Sequence, residues 1–349
     1  MRIPVRIPVV LLSLAISIAA PAATVPERTL TVIDREGLLA PAAIEAFAKR
    51  EHAKVVEIHA DTVGEIVRLA QEQAGRADLV VGSMLVTQQL KARALLQKID
   101  RAKLRNVGDT LPQFQIDPDH VVPFLWTYTG LGWRTDLVRQ PVDSYAKLLA
   151  LARHYPGRVM LSDDSMELAH AVLLMYGNPP YNYDDLAALK EALALYKSEG
   201  EKIFRIQASV DDNTWPLDTG EVIGGVVHNN DVDFHHENFK AQLDYAQPAA
   251  GCFVRQENFM LLADAPQPAL AHAFLDYMNE GKVAARNAEA VRLASANPDA
   301  ARNYGKDFLN DPNLHPGIEG TTGCRVNKPL SIPVQKFIDA LVPTGIDRH

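Results

Sequence analysis

This sequence has very little cysteine, no excess of positive charge, and no long apolar run beyond its first two dozen residues. The two cysteines, Cys252 and Cys324, lack CxxC spacing, so a metal site built from them is not expected. With 35 basic against 43 acidic residues the formal charge is −8, which argues against a general nucleic-acid binder with a basic surface. Such a charge is compatible with a cationic ligand, although net charge speaks more to solubility than to a site. No Gly-rich phosphate loop, GxSxG turn or HExxH helix occurs. Asp163, Asp164 and Glu167 form an acidic group, but no base, nucleophile and oxyanion donor accompany them in a credible arrangement. An enzyme is therefore not expected, and neither a cofactor nor a metal is called for. Repeats and low-complexity tracts are absent as well.

What is present begins at the N-terminus. Arg2 and Arg6 give a positive start, Val9 to Ala19 (VVLLSLAISIA) a short apolar core, and Ala20-Pro21-Ala22 small residues for cleavage. That is the layout of a secretory signal peptide over 1–22. The apolar run is short for a membrane span, which needs about 20 residues; an uncleaved anchor is the alternative. No cysteine follows it for lipid attachment. The expectation is a soluble exported protein starting near Ala23. Removing the leader takes the charge to about −10, since it carries Arg2 and Arg6 and no acid. In an oxidising compartment the cysteine pair suggests one Cys252–Cys324 disulfide, with two buried free thiols as the alternative.

The rest of the chain is too long for one comfortable core, so two lobes are expected. Thr29–Asp34, Lys54–His59 and Asp78–Val81 read as strands. Pro41–Glu51, Thr62–Ala74 and Thr87–Leu95 read as helices, with apolar Ala43, Ile44 and Phe47 at helical spacing in the first. This alternation predicts an α/β fold with a mostly parallel sheet covered on both faces. Ligands in such sheets sit at the carboxyl ends of strands, where Asp34-Arg35 and Gly82-Ser83 lie. Asp119–Tyr128 and Thr129–Trp133 read as extended, and Arg158–Ser162, Ile203–Ile206, Val222–Val227, Ala246–Val254 and Asn258–Leu262 as strands. Helices are expected over Ser144–His154, Asp164–Tyr176, Asp184–Ser198, Gln267–Asn279, Val283–Ala290 and Val334–Val342, with another from about Asp231.

Residues 78–100 read DLVVGSMLVTQQLKARALLQKID. Further on come VVPFLWTYTGLGWRTDLV at 121–138, RVMLSDDSMELAHAVLLMYG at 158–177, GEVIGGVVHNND at 220–231 and LHPG at 314–317. In this order the segments resemble the periplasmic spermidine/putrescine-binding proteins of ABC transporters. The resemblance implies a two-lobed periplasmic-binding-protein fold that closes by a hinge on a small molecule and docks on an inner-membrane permease. It places the crossings near Leu125–Thr129, Pro248–Cys252 and Ser295–Tyr304. Lobe 1 would then comprise 23–125 and 252–297, and lobe 2 126–251 and 298–349. Cys252 would lie near a crossing and Cys324 in the tail of lobe 2. A monomer is expected, with no nucleic-acid partner.

A buried ammonium requires a carboxylate, and aromatic walls suit the methylenes between ammonium groups. The resemblance nominates Asp164, Glu167, Asp231 and Glu257 as counter-ions, and Ser83 as the serine of the first-lobe turn. Each has a plainer reading. Asp164-Ser165-Met166-Glu167 is also a capping box, Asp231 can cap the helix that follows, and Ser83 can simply close a turn. Where the family tends to place Trp or Tyr, this chain has Arg35, Leu38, Leu85, His228 and Arg255. A guanidinium in the cleft repels ammonium and suits a carboxylate or phosphate. Arg35 and Arg255, if they face inward, point to a solute carrying both signs; if not, they pair with neighbouring acids. Trp126, Tyr128 and Trp215 remain as candidate walls. The stretch His228–Glu237 (HNNDVDFHHE) has no metal-ligand spacing of a known kind, and an exposed polar helix accounts for it. The leading expectation is a periplasmic solute-binding component of an ABC importer for a small amine, putrescine or spermidine in type. A carrier of a zwitterionic or anionic solute, and a sensor or adaptor that has lost transport, are the alternatives.

Overall fold

Strands that are buried along their whole length, rather than on alternate residues, mark a sheet covered on both faces. β3 (Leu79–Ser83) is of this kind. It flanks β1 (Arg28–Asp34), whose other neighbour is β2 (Ala53–His59), and both pairings are parallel. The computed structural model describes residues 28–340 except 109, 111, 163, 178–184, 208–215, 240–241, 312–323 and 327–330. The signal-peptide reading, Trp215 and the LHPG segment fall outside the described residues.

The helices between these strands start and stop where local chemistry dictates. α1 (Pro41–Glu51) opens on proline, whose missing N–H is not needed in a first turn, and closes at His52 in the left-handed region (φ 49°). α2 (Val63–Glu72) is capped by Thr62, whose side chain accepts the Glu65 N–H, and buries Ile66, Val67 and Ala70. α3 (Met84–Ala92) starts three residues before Thr87, directly from β3. Gly82 and Ser83 are therefore the last residues of a strand, not a turn. A side chain at 82 would meet Val86, 3.0 Å from the position of a Cβ.

β4 is one strand, Val121–Arg134, where the sequence suggests two extended segments. Its first part pairs antiparallel with β9 (Phe253–Leu261), and its second with β7 (Gly224–His228) and β8 (Leu243–Ala246). β9 also replaces two expected strands, Ala246–Val254 and Asn258–Leu262. The polar run Arg255-Gln256-Glu257 lies within its ladder, and residues 247–252 form no strand. With β5 (Val159–Ser162) and β6 (Phe204–Gln207) the sheet order is β2-β1-β3-β9-β4-β7-β5-β6.

Two main cores lie along this sheet. One gathers Leu30, Phe47, Leu79, Phe259, Phe274 and Leu275, with the Phe47 and Phe274 rings edge-on at 4.9 Å. The other gathers Leu131, Trp133, Leu148, Leu161, Val172 and Leu189. It is covered by α4 (Tyr145–His154), α5 (Ser165–Tyr176) and α6 (Leu186–Leu195). β4 and β9 contribute to both. Ala300, Tyr304 and Phe308 pack in the first core.

Cys252 and Cys324 form the expected disulfide, with Cα atoms 4.3 Å apart and a sequence separation of 72. Cys252 packs with Phe114, Trp126 and Tyr128, where β4 passes from one core to the other. The bond thus fixes the tail to the region through which the two halves connect. Reducing it should lower stability by roughly 2–4 kcal/mol. Denaturant unfolding with and without reductant measures this, and coincident curves would mean that the bond contributes nothing.

Candidate ligand site

A strand period of two puts Arg255 and Glu257 of β9 on one face of the sheet. Across the ladders, Ser83 of β3 lies opposite Glu257 and Thr127 of β4 opposite Arg255. Arg35 follows the last residue of β1 and reaches this face, donating through Nη2 to Glu257 Oε1 at 3.1 Å. Arg255 Nε donates to the same oxygen at 2.8 Å. These residues belong to or adjoin the first core's strands.

The second half supplies residues from helix starts. Asp164 caps α5, its Oδ1 accepting the N–H groups of Met166 (2.9 Å) and Glu167 (3.2 Å). Only half of the capping box forms. The Asp164 N–H goes to Ser162 Oγ, which frees Glu167 to turn toward His228 (2.8 Å to Nε2) and Arg255 (3.7 Å to Nη1). His228 ends β7, and its Nδ1 lies 3.3 Å from Asp231 Oδ2. Asp231 is in the first turn of the helix Asn229–Phe239, two residues inside its start, so it is not the cap. Asn230 Nδ2 donates to Asp231 Oδ1, and Thr127 Oγ1 lies 2.5 Å from Asn229 Oδ1, tying this turn to β4.

Arg35, Arg255, Glu257, Glu167, His228 and Asp231 therefore form one continuous ionic network. Both ring nitrogens of His228 face carboxylates, so both carry protons and the ring is an imidazolium. Burial pulls its pKa down, but Glu167 and Asp231 outweigh burial and raise it to about 10. Burial works against the Glu167 carboxylate, yet His228 and Arg255 hold it at about 2. Glu257 and Asp231 are likewise held low against their burial, chiefly by Arg255 and Arg35 for the former and by His228 for the latter. Asp164 goes the other way: burial, then Glu167, raise it to about 6.

Arg35 thus pairs with Glu257, not with its sequence neighbours Asp34 and Glu36. Asp34 Oδ1 instead meets His59 Nδ1 at 3.0 Å, and burial followed by Glu57 raises the Asp34 carboxyl to about 8. Ser83 is buried, and among the described residues its hydroxyl has no hydrogen-bond partner. His235, in the stretch read as an exposed polar helix, is instead buried and hydrogen-bonded to Asp218. Trp126 and Tyr128 pack in the core around Cys252, with ring centroids 6.4 Å apart. Two residues escape a sequence reading. Tyr145 is buried and Tyr245 half-buried; among the described residues neither hydroxyl has a hydrogen-bond partner, and Tyr145 lies within electrostatic reach of Glu167 and Tyr245 of Asp231. The one local signal is Gly130, over which the Tyr245 ring lies so closely that any Cβ would overlap it.

The family described as bacterial extracellular solute-binding protein matches residues 42–316. The chain is a bacterial extracellular solute-binding protein. The spermidine/putrescine-binding periplasmic protein of Escherichia coli is 25% identical to this solute-binding protein over 287 residues, which is 80% of each chain. A putrescine/agmatine-binding protein of Pseudomonas aeruginosa is 27% identical over 317 residues, 85% of this chain and 86% of that one. The same fold occurs in PotD, the spermidine/putrescine ABC transporter substrate-binding protein of Streptococcus pneumoniae. The two superpose with a TM-score of 0.73 at 18% identity, over 90% of this chain and 97% of that one. The architecture is thus the two-lobed one of periplasmic binding proteins. The family is one of solute-binding proteins, not of enzymes. Among the described residues no helix is long and apolar enough to cross a membrane.

Proposed function

We propose that this solute-binding protein is the periplasmic subunit of an ABC importer, closing its two lobes on a small amine-bearing solute. The observation that carries the reading is the meeting of Glu257, from the first half, with Glu167 and Asp231, from the second, in one buried network. Carboxylates contributed from both sides are what a closing cleft needs to neutralise ammonium groups. The relatives named for putrescine, spermidine and agmatine support the same solute class. Asp164, Glu167, Asp231 and Glu257 are the proposed counter-ions, with Ser83 as a hydroxyl partner and Arg35, Arg255 and His228 setting the charge around them. Residues 1–22 would be the cleaved leader, the closed monomer would dock on an inner-membrane permease, and nucleic acid would play no part.

Calorimetric titration with putrescine, spermidine and agmatine is the direct test. At least one should bind, and Asp231→Asn should weaken it tenfold or more. Asp231 is a suitable probe because its side chain is 31% exposed and its loss leaves Glu167 to hold His228. Silence from all three and from the amino acids ornithine, lysine and arginine would remove the amine reading while leaving the family assignment intact.

A further inference from the structure

We infer that the preferred solute carries a carboxylate beside its amines, so that the cleft takes a basic amino acid or a close derivative rather than the bare polyamine. This rests on the amine-binding role proposed for the same residues.

Two guanidiniums converge on one oxygen. Arg35 Nη2 and Arg255 Nε both donate to Glu257 Oε1. Each guanidinium is a planar fork of several N–H donors. Among the described residues Arg35 makes no other ion pair, and Arg255 makes one more, the long 3.7 Å approach to Glu167. One carboxylate oxygen does not match two such forks. Repulsion from Arg255 is the largest influence on Arg35, exceeding even its burial, and weakens its hold on its proton, whereas Glu257, Glu167 and Asp164 outweigh burial at Arg255 and strengthen its hold. A second anion lodged between the forks relieves that repulsion, and a carboxylate fits a guanidinium with two parallel hydrogen bonds. The unpartnered Ser83 hydroxyl, on the ladder position facing Glu257, is a further donor on the same side.

The charge count leads to the same class. His228 has both nitrogens on carboxylates, so it is a cation by geometry alone. Arg35, Arg255 and His228 then face Asp164, Glu167, Asp231 and Glu257. The acids exceed the cations by one at most. A diamine such as putrescine brings two positive charges, and spermidine three, so a closed cleft would hold unmatched charge at high cost. A solute with two amines and one carboxylate brings a single net positive charge. Its carboxylate would take the Arg35–Arg255 side and its amines the Asp231–Asp164 side.

Matched pairs isolate the carboxylate. Putrescine is L-ornithine without its carboxylate, cadaverine is L-lysine without it, and agmatine is L-arginine without it. Calorimetry on the wild-type protein should show the amino acid binding at least tenfold tighter in one pair or more. Arg35→Gln should then cut that preference at least tenfold; the side chain is 28% exposed and Glu257 keeps Arg255, so the change is mild for folding. The inference is overturned if each amine binds as tightly as its amino acid or tighter, a result that would leave the amine-binding role standing. It is also overturned if Arg35→Gln leaves the preference untouched. Silence from all six compounds would end both. Should Arg35→Gln fail to fold, the wild-type series decides alone.

Discussion

Replacing Glu167 by Gln should destabilise the protein by about 3–5 kcal/mol, the range expected when one member of a buried ion pair is removed and its partner stays. Glu167 is almost fully buried at the start of α5, and its carboxylate faces His228 Nε2 and the Arg255 guanidinium. Gln preserves the shape and can keep an acceptor oxygen at the Oε1 position that both His228 and Arg255 approach, but it removes the negative charge. The imidazolium then keeps Asp231 alone, and the attraction that offsets its burial is roughly halved. Folding and binding should fail together, because the same carboxylate links the residues of the two halves. A double-mutant cycle with His228→Gln separates this from a general packing effect. The two changes should be far from additive, with a coupling of roughly 1–3 kcal/mol for residues in one network. Additive losses would show that Glu167 and His228 act independently and that the network is not a unit.

The elements were legible where local chemistry decides them. α1 runs from Pro41 to Glu51 as the sequence predicts, because proline starts it and the left-handed His52 ends it. Thr62, Ser144 and Asp164 cap their helices through side-chain oxygens, which the sequence shows directly. The long strands were not legible. β9 contains Arg255, Gln256 and Glu257, and a polar triplet in mid-strand looks like an interruption until its partners are known. Those partners are remote: Arg35 reaches Glu257 across 222 residues of sequence. Composition and spacing carry no information about such a pairing, so Arg35 and Arg255 could be nominated as cleft residues but not joined to one carboxylate. The capping motif shows the limit in miniature. Asp164-Ser165-Met166-Glu167 fits both a cap and a ligand pair, and the fold divides it, with Asp164 on the helix end and Glu167 on the network. Tyr145 and Tyr245 had no signal of their own, since a tyrosine's hydroxyl is placed by neighbours that only the tertiary fold supplies.

The network should make stability depend on pH from both sides, and the alkaline side is the more diagnostic. His228 is raised from 6.5 to about 10, so its contribution is complete below 6.5 and is lost as the pH climbs through 10. Glu167 is lowered from 4.5 to about 2, so its contribution is complete above 4.5 and is lost as the pH falls through 2. Asp231 and Glu257, also lowered, add to the acid limb. Asp164 opposes them: raised from 3.8 to about 6, it costs the folded state as it ionises across that interval. The ionic network therefore favours folding most between the Glu167 and His228 reference values, from 4.5 to 6.5. Loss of the His228 contribution on the alkaline side amounts to on the order of 5 kcal/mol, at about 1.4 kcal/mol per pH unit. Thermal unfolding followed from pH 5 to pH 10 should show this decline in the wild type and a flatter profile in His228→Gln. Parallel profiles would mean that the histidine is not held as an imidazolium. The same substitution carries a functional reading. It removes one positive charge from the cleft, so at neutral pH it should shift selectivity toward diamines, the direction opposite to that of neutralising an acid such as Asp231. An unchanged ratio of putrescine to ornithine affinity in His228→Gln would separate the charge balance of the network from its choice of solute.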